Sequence, residues 1–108
     1  MTRNVQEELK QVIEANSVIL FMKGNREMPQ CGFSARVVDI LNNCDVDYAT
    51  VDILRDPEVR QGIKDYSNWP TLPQLYVQGE FVGGCDIVTD LHLSGQLETM
   101  LKPAQSSQ

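Results

Sequence analysis

The sequence predicts an α/β domain in which one four-stranded mixed sheet carries helices on both faces, and three observations predict it. Val18-Ile19-Leu20-Phe21-Met22 is an unbroken apolar run, as a central strand covered on both sides requires. Helical and strand periodicities alternate over the first half of the chain. Further on, Leu75-Tyr76-Val77 and Phe81-Val82 flank Gln78-Gly79-Glu80, the pattern of a tight hairpin with Gly79 at positive φ.

Val5, Leu9, Val12 and Ile13 recur at helical spacing, so residues 3–15 should form an amphipathic helix ahead of the apolar strand. A polar loop follows, broken by Gly24, Asn25 and Pro29. The next helix, from Phe33 to Asn43, buries Phe33, Val37, Ile40, Leu41 and Cys44. Tyr48 to Ile53 alternates and is rich in strand formers. Asp56-Pro57 starts a third helix, because Asp caps free N–H groups and Pro fits the first turn; Val59, Ile63 and Tyr66 mark its buried stripe. After the hairpin, Gly83-Gly84 leads into a last helical segment, broken near Ser94-Gly95 and closed by Pro103. The order is α-β-α-β-α-β-β-α. Its first two strands are parallel with a right-handed crossover and its hairpin is antiparallel, which is the thioredoxin-like architecture.

A chain of 108 residues, 42% hydrophobic and 22% charged, suits a single domain spanning 1–108, with an ordered core over about 3–102 and a flexible tail at 103–108. A net charge of −6 argues against nucleic acid as a partner. No apolar run is long enough for a membrane span, and the start lacks the pattern of a secretory signal, so the expected location is cytoplasmic. Three cysteines without regular spacing do not read as a secreted disulfide framework. There is no CxxC pair and the single His92 is not spaced to join one, so a zinc site built by one chain is not expected. Cys44 reads as a small hydrophobe, His92 as a helix-surface imidazole and Trp69 as a ring packing a turn.

The chemistry gathers at Cys31. It stands where the polar loop meets a helix, facing unpaired N–H groups and the positive end of the helix dipole, both of which favour the thiolate. Gly32 lets the chain's own backbone come close to whatever binds the sulfur, and Lys23 adds a cation at the end of the preceding strand. Ser34 occupies the place of the second cysteine in a redox CxxC. A serine cannot resolve a mixed disulfide, so thiol chemistry here needs an external thiol.

Three blocks then identify a family. Lys23-Gly24-Asn25-Arg26-Glu27-Met28-Pro29-Gln30-Cys31-Gly32-Phe33-Ser34, Trp69-Pro70-Thr71-Leu72-Pro73-Gln74 and Gly83-Gly84-Cys85-Asp86 together resemble the monothiol, CGFS-type glutaredoxins in order and spacing. The resemblance runs from the first helix to about residue 101. It implies glutathione in a groove beside Cys31, its glycine carboxylate on Lys23 and Arg60, and its cysteinyl unit paired with the backbone of Leu72 before a cis Pro73. It implies the γ-glutamyl end at the helix start formed by Cys85 and Asp86. Each position also has a plainer reading: Arg60 as a solvated helix charge, Leu72-Pro73 as an ordinary trans turn, Asp86 as an N-cap. Cys85 contributes mainly backbone, with a disulfide to Cys31 under oxidation left open.

The resemblance further implies a [2Fe-2S] cluster held by two Cys31 thiolates and two glutathione sulfurs in a homodimer, passed on to apo iron-sulfur proteins, or shared with a BolA-type partner. The alternative is a glutathione-dependent monothiol reductase working through Cys31.

Overall fold

Five consecutive apolar residues have no polar side to turn to solvent, so both faces of the strand they form must be covered. The structure, a computed structural model that describes residues 2–106, covers them. In β1 (Val18–Met22) no side chain is more than 2% exposed. Val18, Leu20 and Met22 point into one apolar cluster, Ile19 and Phe21 into another on the opposite face, as the two-residue strand period dictates. β2 (Ala49–Asp52) lies parallel to β1, pairing Ile19 with Ala49 and Met22 with Asp52. β3 (Gln74–Val77) runs antiparallel on the other side of β1, and β4 (Glu80–Gly83) pairs antiparallel with β3, giving the order β2-β1-β3-β4.

α1 (Val5–Ala15) and α3 (Pro57–Ser67) cover one face, where Leu9, Ile13 and Ile63 meet Ile19, Phe21 and Tyr76. α2 (Gly32–Asn43), α4 (Cys85–Leu93) and α5 (Gln96–Ser106) cover the other through Val37, Leu41, Val88, Leu97 and Leu101. This is the thioredoxin-like arrangement that the element order predicts.

The boundaries differ for local reasons. α1 begins at Val5 because the Asn4 side chain accepts from the Glu7 N–H and caps it. β2 stops at Asp52, whose carboxylate accepts the Leu54 N–H and turns Ile53–Arg55 into a single 3-10 turn. Phe33 is 64% exposed rather than buried, since it stands in the first turn of α2 and beyond the sheet. α5 passes through Pro103 to Ser106, where the sequence expectation ends it. Proline removes one intrahelical bond, and Leu97 and Leu101 anchor the helix ahead of it in the core. The expectation for the final two positions, 107–108, lies outside the described residues.

The polar loop after β1 is held by its own bonds. The Gln30 N–H donates to the Lys23 carbonyl at 2.8 Å, and the Asn25 carboxamide oxygen accepts from the Glu27 and Met28 N–H groups. Arg26 lies over the Tyr48 ring, its guanidinium carbon 4.3 Å from the ring centre, and donates to the Tyr48 carbonyl. Gly24 makes this geometry possible. Its φ is +88°, and a Cβ there would stand 2.5 Å from the Met28 carbonyl oxygen and 2.8 Å from the Gln30 nitrogen. Gly24→Ala should therefore lower stability by about 1–3 kcal/mol, read from thermal unfolding. An unchanged midpoint would show that the loop opens without cost.

Candidate functional site

The site is built where chain ends meet. Cys31 is the N-cap of α2, and its Sγ accepts the Ser34 N–H at 3.4 Å. Ser34 is fully buried. Its Oγ accepts the Lys23 N–H at 3.1 Å and lies 3.5 Å from Cys31 Sγ. Because that oxygen already accepts from Lys23, its own proton is free to serve a Cys31 thiolate. Partial burial works against the charged sulfur. The Ser34 hydroxyl, the Ser34 and Phe33 N–H groups and the Lys23 charge together outweigh it, and the thiol falls below its ordinary value.

Beside this thiol lies a groove of about 390 Å³. Its walls bring together five of the residues singled out in the sequence: Lys23, Arg60, Leu72, Cys85 and Asp86. Lys64, a turn beyond Arg60 on α3, adds a third cation that sequence reasoning missed, although its i,i+4 spacing from Arg60 was visible. Cys31 does not itself line the groove; its neighbour Phe33 does. Phe33, Trp69 and Ile87 supply exposed apolar surface to the same walls.

Two details shape the groove. The Leu72-Pro73 peptide bond is cis, as the sequence resemblance implies. Gly84, the N-cap of α4, has no side chain, and a Cβ there would stand 3.3 Å from the Pro73 carbonyl oxygen and 3.4 Å from Trp69 Nε1. The start of α4 therefore packs tightly against the turn. Gln74 ties that turn from below. Fully buried, its Nε2 donates to the Trp69 and Thr71 carbonyls at 3.3 and 3.2 Å, and its Oε1 accepts the Tyr76 hydroxyl at 3.0 Å. It is a positioning residue that the sequence offered only as the last letter of a motif.

Cys44 and His92 lie away from the groove. Cys44 is half-buried as the C-cap of α2, and His92 is half-buried in the last turn of α4. All three cysteines are free thiols.

Two outcomes follow from this geometry. Alkylation of Cys31, followed peptide by peptide with mass spectrometry, should show a midpoint below the free-thiol value of about 8.5. Ser34→Ala should move it upward, because the hydroxyl stabilises only the thiolate; an unmoved midpoint would remove Ser34 from the account. Gln74→Leu should cost about 1–3 kcal/mol in thermal unfolding, the range for stranding buried polar partners. It should also speed amide hydrogen exchange in the turn from Trp69 to Pro73, and unaltered exchange there would contradict the tethering role.

The comparisons agree with this architecture. The family model described as Glutaredoxin matches residues 18–82. The chain is 52% identical over 107 residues to the uncharacterized monothiol glutaredoxin ycf64-like of Synechocystis, covering 99% of this chain and 100% of that one. It is 45% identical over 109 residues to the mitochondrial monothiol glutaredoxin-5 of Saccharomyces cerevisiae, covering 98% of this chain and 73% of that one. The solution structure of reduced apo GrxS14 from poplar matches it with a TM-score of 0.82 at 45% identity, over 94% of each chain. Among the described residues no helix is long and apolar enough to cross a membrane. One of these relatives is named mitochondrial, so a cytoplasmic location does not follow from kinship. With a lone thiol at Cys31, a serine at Ser34 and relatives of this kind over nearly its whole length, the chain belongs to the glutaredoxin family, among the monothiol members.

Proposed function

We propose that this protein binds glutathione in the groove beside Cys31 and, as a dimer, carries a [2Fe-2S] cluster that it passes to apo iron-sulfur proteins. The observation that most supports this reading is a single acidified thiol at Cys31 with buried Ser34, not a second cysteine, three residues on. A [2Fe-2S] cluster takes four ligands, and thiolates are the usual ones. Each chain offers one at this site, so two chains and two glutathione thiols complete the set. Met28 and Phe33, 66% and 64% exposed on either side of Cys31, give the surface around it an apolar character suited to a second protein.

The groove fits the small ligand by charge. Lys23, Arg60 and Lys64 are suited to the glycine carboxylate, with the planar Arg60 guanidinium able to donate two parallel hydrogen bonds. The first N–H groups of α4, which no side chain caps at Gly84, suit the γ-glutamyl carboxylate, and Asp86 suits its ammonium. Half of the cluster's ligands would then be exchangeable small molecules, which favours transfer over storage. A BolA-type protein is the proposed alternative partner, and iron-sulfur maturation and iron homeostasis the setting. Cytoplasm, where thiols stay reduced, is the proposed compartment.

The lowered Cys31 thiol also favours a second reading, a reductase in which Cys31 attacks a glutathionylated protein and a further glutathione releases it. Anaerobic reconstitution with ferrous iron, sulfide and glutathione separates the two. The expected product is a coloured dimer that needs both glutathione and Cys31, with Cys31→Ser colourless and monomeric. A wild-type chain that stays colourless but turns over a glutathione mixed disulfide would overturn the carrier reading.

A further inference from the structure

We propose that Cys44, His92 and Glu98 form a second metal site, for a divalent ion of the zinc class, at the opposite end of α2 from Cys31. Among the described residues this is the group whose thiol, imidazole and carboxylate ligand atoms converge within 4.8 Å of one another. Cys44 Sγ lies 3.5 Å from Glu98 Oε1, and His92 Nδ1 lies 2.8 Å from the same oxygen. A tetrahedral ion with bonds of about 2.3 Å to sulfur and about 2.0–2.2 Å to nitrogen and oxygen holds its ligands roughly 3.3–3.7 Å apart. The sulfur–oxygen edge already has that length, and the nitrogen–oxygen edge needs to open by about half an ångström.

The arrangement is not a chance of local sequence, because its members come from three helices. Cys44 caps the C-terminus of α2, His92 lies in the last turn of α4, and Glu98 lies in the first turn of α5. Gly95, at φ +81°, reverses the chain between the last two, which brings Glu98 back onto His92. Two of the three groups sit at helix C-termini, the negative ends, where a cation is favoured. Glu98 is the point of convergence: it accepts from the Cys44 thiol and from the His92 ring, so two protons are directed at one carboxylate oxygen. A single divalent ion takes their place. On binding, the thiol proton leaves to water and the imidazole carries its proton on Nε2, so that Nδ1 faces the ion. Thiolate and carboxylate then balance the two positive charges.

The donor set selects the metal. One sulfur, one nitrogen and one carboxylate oxygen suit zinc and its spectroscopic substitute cobalt, and are poor for magnesium or calcium, which take oxygen ligands. Three protein ligands leave a fourth position for water or an external donor. Cys31 and Cys44 flank the twelve-residue α2 and so stand about 20 Å apart at 1.5 Å per residue, too far to share one ion. The proposed ion is therefore separate from the cluster proposed at Cys31.

The test uses the full chain carrying Cys31→Ser and Cys85→Ser, freed of metal by a chelator, without glutathione, titrated with cobalt(II) chloride. One equivalent should bind, with a thiolate-to-cobalt charge-transfer band and the strong visible absorption of a four-coordinate ion, and zinc chloride should bleach both. Adding Cys44→Ser should abolish the charge-transfer band. His92→Ala and Glu98→Gln should each weaken binding by more than the roughly 10–100-fold that loss of an outer-shell partner costs. If the double variant lacks a native circular dichroism spectrum, the wild-type chain compared with its Cys44→Ser variant reads the same difference, one equivalent and its band. Absence of the band, or its survival in the Cys44→Ser variant, overturns the proposal.

Discussion

The burial of β1 on both faces is the constraint from which the rest of the molecule follows. Five apolar side chains in succession cannot be satisfied by one layer of helices, so α1 with α3 and α2 with α4 and α5 must close over opposite faces. The strand's end is fixed as firmly as its centre. Lys23 follows directly, and its N–H reaches the Ser34 hydroxyl, which joins the sheet to the first turn of α2. The thiol at Cys31 is thus positioned by the core, although it stands on a loop.

Ser34 and Gln74 are the fully buried polar side chains among the described residues, and both sit beneath the groove. Burying a polar group is costly unless its hydrogen bonds are made, and here every such buried atom has a partner. An apolar residue would fill either space without that requirement. What the polar ones add is direction: Ser34 fixes where the Cys31 sulfur finds a donor, and Gln74 fixes where the turn from Trp69 to Pro73 lies. Beneath the site the buried groups are polar and fully hydrogen-bonded, while its rim, with Phe33, Trp69 and Ile87, is apolar and open.

The sequence made the layers legible because strand and helix periods differ and β1 has no polar position to confuse them. It made most of the groove legible as well, since Lys23, Arg60, Leu72, Cys85 and Asp86 stand in recognisable blocks and the structure gathers them around one cavity. Arg60 could be named only through the family, because one arginine on an amphipathic helix looks like any solvated charge. Pro103 misled, because proline ends a helix in the average protein, and packing of Leu97 and Leu101 overrides that preference here. The convergence of Cys44, His92 and Glu98 was illegible for a different reason. His92 and Glu98 lie six residues apart, but Cys44 is remote from both in the chain and joins them only when α2 packs beside α4 and α5.

α2 and α4 run side by side in the same sense. α2 starts beside the groove, after Cys31, and α4 starts in its wall, at Cys85; both finish at the Cys44–His92–Glu98 group, with Arg36 donating to Thr89 at 3.2 Å between them. The two helices are therefore shared rods with a proposed ligand site at each end. Any ligand at one end that narrows the range of angles between the rods lowers the ordering cost for a ligand at the other, and thermodynamic reciprocity makes the effect equal in both directions.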